Sequence, residues 1–155
     1  MSIQVRKNVN LTPYTIFKIG GTARFFYELT SIQESEEVFQ WANQYALPIF
    51  ILGAGSNILI SKKEFNGLVL RPLFNSISFV GNTLTVEAGA MMPLISTQAL
   101  QKGFSGFEWA LGIPGTIGGS IRGNAGCFGK SMADILESVV VLDMKLGKQK
   151  KFSNA

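Results

Sequence analysis

Nine of the chain's 17 glycines fall between residues 103 and 129, and the run GIPGTIGGSIRGNAG occupies residues 112–126. Ordering so many glycines is costly, because each loses more backbone freedom on folding than any other residue. A fold retains such a segment where the backbone must approach another group closely or take positive φ. Successive amide N–H groups can then converge on one concavity and bind anionic oxygens. The run therefore points either to a bound phosphate-containing cofactor or to a set of tight turns in a strand-rich domain, and glycine density alone does not separate the two.

The remaining composition narrows the chemistry. A length of 155 residues suits one domain, or two small subdomains sharing a core, and 46% hydrophobic against 15% charged residues argues against disorder. The net charge of +4 is spread along the chain, with a cluster only at Lys145, Lys148, Lys150 and Lys151. This fits a solvated hairpin edge, and no nucleic-acid partner is expected. The absence of histidine removes the commonest general base, the commonest metal ligand and any Ser/His/Asp triad. A single cysteine, Cys127, excludes an internal disulfide and a cysteine-rich zinc site, in keeping with a reducing compartment. The start MSIQVRKNVN lacks the apolar centre of a signal peptide, and no stretch approaches the roughly 18 apolar residues of a membrane span. A cytoplasmic chain without a membrane partner is the expectation.

Residues 25–29 read as a strand. Ser31 and Glu34 then have capping-box spacing ahead of Val38, Trp41, Ala42 and Tyr45, which share one helical face. Pro48 closes that region, and the apolar runs 49–52 and 68–70 are expected to be buried strands, giving a βαβ-like opening over residues 1–70. A second subdomain over residues 71–155 begins near Arg71-Pro72. There, residues 77–80 and 83–88 flank Gly81-Asn82 as an antiparallel hairpin. Pro93 suits a first helical position, Ile95, Ala99 and Leu100 supply apolar contacts, and Gly103 can end that helix. Residues 137–144 and 149–152 complete a second hairpin through Leu146-Gly147. The fold class expected is α+β.

Two loops are placed to hold a cofactor. GAGSN, comprising Gly53, Ala54, Gly55, Ser56 and Asn57, follows a strand directly, where α/β folds deliver ligand loops. It departs from the dinucleotide fingerprint G-x-G-x-x-G at Ile58, and residues 58–60 look extended rather than helical. In the second loop Pro114 stiffens the entry, Gly115, Gly118 and Gly119 open backbone amides, Thr116 and Ser120 add hydroxyls, and Asn124 adds an amide. Two such loops from different subdomains could clamp one extended dinucleotide.

The segments YTIFKIGGTARFF (14–26), ILGAGSNILI (51–60), VEAGA (86–90) and GFSGFEWALGIPGTIGGSIRGNAGCFG (103–129) together closely resemble the UDP-N-acetylenolpyruvoylglucosamine reductase family of peptidoglycan synthesis. The resemblance runs in order over nearly the whole chain. It implies the vanillyl-alcohol-oxidase-like (PCMH) FAD-binding fold, in which a small parallel α/β subdomain and a larger mixed or antiparallel one hold FAD non-covalently. It further implies that Gly53, Ala54, Gly55, Ser56 and Asn57 contact the FAD pyrophosphate. Ile113, Pro114, Gly115, Thr116, Gly118, Gly119, Ser120, Asn124, Ala125 and Gly126 would run along the diphosphate toward the flavin.

The family's reaction uses NADPH as hydride donor and a UDP-sugar enolpyruvyl ether as substrate, with a serine as proton donor assisted by a glutamate and by the arginine of a Tyr-Arg motif. All of these follow the FAD loops in the family pattern. No Tyr-Arg dipeptide occurs before the final KKFSNA, so the resemblance supplies no catalytic residue and the substrate domain is expected to be absent. The chain reads as the FAD-binding portion of the reductase, or alternatively as a non-catalytic flavin-binding or interaction module derived from it. Glu108 reads as a packed or capping carboxylate rather than a catalytic one, Arg122 as a solvated side chain ahead of a phosphate contact, and Cys127 as a small hydrophobe. Met91, Met92, Phe104, Phe107 and Trp109 read as core.

Overall fold

Strand pairing in the first part of the chain is set by one long apolar strand. A computed structural model describes residues 3–144 and 147–154. In it, Leu68, Val69 and Leu70 are each shielded from solvent and lie at the middle of β4 (Glu64–Pro72). A strand buried on both faces needs partners on both edges. It pairs in parallel with β2 (Thr22–Leu29) on one side and with β3 (Ile49–Ile51) on the other. β1 (Arg6–Asn10) adds antiparallel to β2, giving the order β1-β2-β4-β3.

The two faces of this sheet are covered differently. Helix α1 (Glu34–Gln44) closes one face with Val38, Phe39 and Ala42 against Leu29, Leu68 and Leu70. Burial of side chains of this size contributes about 1.5–3 kcal/mol each. On the opposite face, Leu11, Ala23, Phe26, Leu52 and Val69 form a second layer, joined by Tyr14, Ile58 and Ile60 from the segments that follow β1 and β3. Residues 58–60 carry no regular secondary structure, and no helix follows the GAGSN loop.

Several sequence expectations shift in detail. The N-cap position of α1 is Gln33, with no side-chain cap bond, and Glu34 at the first helical position instead accepts the backbone N–H and Oγ1 of Thr30 on its carboxylate, at 3.2 and 2.5 Å. Of the predicted helical face, Val38 and Ala42 are buried, Trp41 is half-buried and Tyr45 is exposed. The strand expected over 68–70 is nine residues long and continues to Pro72.

The second part begins with the hairpin of β5 (Ile77–Val80) and β6 (Thr83–Val86). Its turn uses a positive φ at Gly81, which only glycine accepts without steric cost. Helix α2 (Met92–Gln101) carries Pro93 in its first turn and is followed by Gly103 at φ +78°. Ile95 and Ala99 face the core, but Leu100 is 69% exposed, because it lies on the helix side turned from the sheet. The core here is Ala90, Met92, Ile95, Trp109, Ala110, Ile117 and Met132, with Phe107 and Cys127 packed on it. Met92 is therefore core while Met91 is 40% exposed. Phe104 pairs with Phe79 at 5.3 Å between ring centroids.

The short helix α3 (Ile117–Arg122) leads into the hairpin β7 (Gly126–Cys127) and β8 (Lys130–Ser131). A last hairpin joins β9 (Ser138–Asp143) to β10 (Lys148–Ser153), whose lysines are exposed. Lys145 and Leu146 of the predicted lysine cluster and turn lie outside the described residues.

Candidate cofactor site

Parallel strands deliver their following loops to one end of a sheet, and the GAGSN loop occupies that end. Ile51 pairs with Leu70 and Leu52 donates to the Leu70 carbonyl at 2.9 Å, so residue 52 stands beside residue 71 of β4 and the loop leaves the sheet directly after it. The loop then folds over the Phe26 face. Gly55 has φ +67°, and a Cβ there would lie 2.0 Å from the Tyr14 carbonyl oxygen, so neither the conformation nor the space admits a side chain. The Ile16 N–H donates to the Gly55 carbonyl at 3.1 Å and fixes the loop to the Tyr14 segment.

The amides of this loop stay available. Among the described residues, no acceptor of the chain receives the N–H of Gly53, Ala54, Gly55, Ser56 or Asn57. Gly55 is itself buried. An unpaired donor in a buried residue costs about 1–3 kcal/mol unless an external acceptor or water completes it. Five consecutive free donors on a glycine-containing loop form a cradle suited to anionic oxygens.

The second loop is built differently. Thr116 accepts the Gly119 N–H on its Oγ1 at 3.3 Å and so caps α3. The Gly118 N–H donates to the Ala88 carbonyl at 3.0 Å, the Ile117 N–H to the Ala90 carbonyl at 2.8 Å, and the Gly115 N–H to the Ile113 carbonyl at 2.9 Å. The sequence reading assigns open amides to Gly115, Gly118 and Gly119, whereas the structure engages all three within the chain. Gly118 is small for another reason: a Cβ would lie 2.9 Å from the Ala88 Cβ, so this glycine lets α3 pack against residue 88. Pro114 and Gly119 are exposed, Ile113 is half-buried, and Thr116 and Ser120 are buried.

Residues 124–126 continue the wall. Asn124 has φ +45°, and its Oδ1 accepts the Ala133 N–H at 2.9 Å, so its acceptor is engaged internally. The Ala125 N–H donates to the Ser120 carbonyl at 2.8 Å, and Gly126 opens β7.

The two loops meet. A Cβ built on Gly53 would stand 2.7 Å from Thr116 Oγ1, and one built on Gly115 would stand 3.4 Å from both Ser56 Oγ and Ser120 Oγ. The structure thus brings Gly53, Ser56, Gly115, Thr116 and Ser120 to one junction between the parallel sheet and the second core. Asn124 lies beyond it, held to the segment after β8.

A sequence model of the family described as FAD binding domain matches residues 23–153. The chain belongs to this FAD-binding family. Its FAD-binding domain is 41% identical over 143 residues to UDP-N-acetylenolpyruvoylglucosamine reductase of Acaryochloris marina, a match that covers 90% of this chain and 46% of that relative. In three dimensions it is similar to the crystal structure of UDP-N-acetylenolpyruvylglucosamine reductase from Thermus caldophilus, with a TM-score of 0.81 and 29% identity over 99% of this chain and 53% of that one. The 6-hydroxy-D-nicotine oxidase of Arthrobacter nicotinovorans shares the fold at a TM-score of 0.65, with 16% identity over 84% of this chain and 30% of that one. The FAD-binding domain therefore spans about half the length of the curated relatives it matches. The α+β architecture, with its parallel sheet and antiparallel hairpins, is the PCMH-type fold expected from the sequence.

FAD fits the residues present. A diphosphate needs hydrogen-bond donors without bulky side chains, and residues 53–57 offer free amides at the sheet end, backed by Thr116 and Ser56 hydroxyls. The carboxylates near the second loop are committed to structure. Gly106 donates its N–H to both oxygens of Glu108, at 3.0 and 2.8 Å. Bonds from the backbone N–H groups of Glu108 itself and of Gly106 hold the Glu108 carboxyl below the ordinary range, which agrees with its reading as a cap. Asp134 is likewise held low by the backbone N–H and then the hydroxyl of Ser131, at 2.6 and 3.0 Å. Sequence reasoning singled out none of Tyr14, Arg6 and Arg71: the Tyr14 carbonyl abuts Gly55, Arg6 bonds the Tyr14 hydroxyl at 2.9 Å and the Arg71 guanidinium lies 5.3 Å from its ring, contacts that exist only once the strands are paired.

Proposed function

We propose that this chain is the FAD-holding portion of an NADPH-dependent reductase that converts UDP-N-acetylglucosamine enolpyruvate to UDP-N-acetylmuramate in peptidoglycan biosynthesis. The observation that carries this reading is the junction of two loops from two cores, Gly53 to Thr116 and Ser56 to Gly115, beside five unpaired amides. The likeness to UDP-N-acetylenolpyruvoylglucosamine reductases at 41% identity supports it.

In this reading Gly53, Ala54, Gly55, Ser56 and Asn57 receive the pyrophosphate oxygens, replacing water with fixed backbone dipoles. Thr116, Ser120 and the exposed face of Gly119 form the facing wall, and residues 124–126 carry that wall toward the flavin ring. Bound FAD supplies two-electron transfer chemistry, which no side chain of this protein can provide. The protein's part is to bind and orient the cofactor non-covalently and to keep water from its diphosphate. The proton donor and substrate contacts of the family pattern have no counterpart assigned in this sequence.

Spectrophotometry of purified, desalted protein tests the reading. Flavin absorbance, or a rise in melting temperature on adding FAD, is expected. No retained flavin and no thermal response at micromolar FAD would overturn it. No reduction of UDP-N-acetylglucosamine enolpyruvate by NADPH is expected from the 155-residue chain alone.

A further inference from the structure

Around Tyr14, whose carbonyl abuts the GAGSN loop, lies a cationic cluster with more positive than negative charge. Glu28 of β2 and Arg71 of β4 are register partners, and the Arg71 guanidinium donates from Nη1 to Glu28 Oε1 at 2.9 Å. Arg6 of β1 approaches the other carboxylate oxygen at 3.7 Å and donates from Nη2 to the Tyr14 hydroxyl at 2.9 Å. One carboxylate thus serves two guanidinium groups. Among the described residues neither arginine has a second acidic partner, which leaves the cluster with a formal charge of +1.

Its placement relative to the loop follows from the sheet. Residue 52, the last before the GAGSN loop, stands beside residue 71, since Ile51 pairs with Leu70 and Leu52 bonds the Leu70 carbonyl. Tyr14 links the two features. Its ring lies 5.3 Å from the Arg71 guanidinium and 4.8 Å from Phe26, its hydroxyl takes the Arg6 bond, and its carbonyl abuts Gly55. Both arginine side chains remain partly open to solvent, at 50% for Arg6 and 32% for Arg71. Two guanidinium groups fixed on the aromatic faces of Phe26 and Tyr14 are preorganised for a phosphate, because their geometry is already set when the anion arrives.

We infer that Arg71, with Arg6 behind it and Glu28 as their brace, is the cationic wall of the amide cradle and binds the diphosphate of the cofactor. This inference rests on the FAD reading above and assigns side-chain charge to a site otherwise made of backbone. Glu28 has a specific role in it: the carboxylate orients the guanidiniums while lowering the potential that a diphosphate meets, so removing its charge should strengthen anion binding.

The test titrates FAD by flavin fluorescence and ADP by calorimetry into the 155-residue chain, at about 50 and 500 mM salt, where screening of partly exposed charges differs strongly. Arg71→Gln should weaken both ligands about 5- to 10-fold at low salt and little at high salt. Arg71→Lys, which keeps the charge, should recover part of the loss. Glu28→Gln should tighten both about 2- to 5-fold at low salt. Unchanged affinities in Arg71→Gln and Glu28→Gln, or losses equal at both salt concentrations, overturn the assignment while leaving FAD binding intact. A wild-type chain that binds neither ligand overturns both readings together. Melting temperatures without ligand show whether either variant fails to fold; if Arg71→Gln does, Arg6→Gln and Glu28→Gln carry the same comparison, with opposite signs expected.

Discussion

Thr116 Oγ1 occupies the position that a side chain at Gly53 would need, 2.7 Å from where its Cβ would fall. The same oxygen accepts the Gly119 N–H and caps α3, so one atom joins the end of the parallel sheet to the start of the glycine-rich helix. Gly53→Ala should push Thr116 off its cap and cost about 1–2 kcal/mol, and Thr116→Ala should cost about 1 kcal/mol on its own. Because the second change removes the clash made by the first, the double variant should cost less than the sum. Urea denaturation of the four proteins measures this coupling, and strict additivity would show that the two loops do not meet as described.

Glycines of the two loops should differ sharply when given a methyl group. Gly55→Ala combines φ +67° with an approach of 2.0 Å to the Tyr14 carbonyl, and a destabilisation of at least about 2 kcal/mol with loss of FAD retention is expected. Gly112→Ala meets nothing within 4 Å and should leave stability within about 0.5 kcal/mol of wild type. Thermal unfolding of both variants in parallel distinguishes packing glycines from merely permissive ones.

Phe128 is 91% exposed at the tip of the β7–β8 hairpin and has φ +53°, a conformation disfavoured for a bulky residue. Exposed as it is, the ring contributes little burial to the folded chain. Phe128→Gly should therefore raise stability by up to about 1 kcal/mol through relief of backbone strain. A lower denaturation midpoint in that variant would mean the ring makes contacts that hold the hairpin.

The Glu34 carboxyl is held below its ordinary range chiefly by the Thr30 hydroxyl, with the Thr30 backbone N–H and the hydroxyls of Tyr27 and Ser31 assisting against the opposing effect of burial. A group whose folded pKa is depressed stabilises the fold above its unfolded pKa, about 4.3 for glutamate, and loses that contribution as pH falls through the folded value. Wild type should thus lose more stability than Glu34→Gln between about pH 6 and pH 3. Parallel losses in guanidinium titrations at the two pH values would contradict these bonds.

Period and punctuation in the sequence were enough for several local elements, though not for α3 or the β7–β8 hairpin. Val38 and Ala42 mark the buried side of α1, Gly81-Asn82 turns the β5–β6 hairpin, and Pro93 and Gly103 bracket α2, because each effect acts within a few residues of its cause. The GAGSN loop and the 112–126 run were equally legible, since their glycine content is unusual wherever the chain goes. β1 was not legible: four of its five residues are exposed and it exists through its ladder to β2, so no hydrophobic period announces it. Leu100 misleads for the converse reason, since an apolar residue in a helix does not reveal which side the sheet will cover.

What tertiary structure alone decided is how the two loops divide their work. From sequence, the amides of both looked open. Long-range pairing engages those of Gly118 and Ile117 with the carbonyls of Ala88 and Ala90, while among the described residues no acceptor receives the N–H groups of residues 53–57. The same parallel register sets residue 71 beside residue 52, directly ahead of the GAGSN loop, and so gathers Arg71, Glu28, Arg6 and Tyr14 from four separate segments. The sequence by itself determined that a glycine-containing loop would follow β3. Only the folded sheet, by fixing which strands are neighbours, determined which donors remain free and which charges stand next to them.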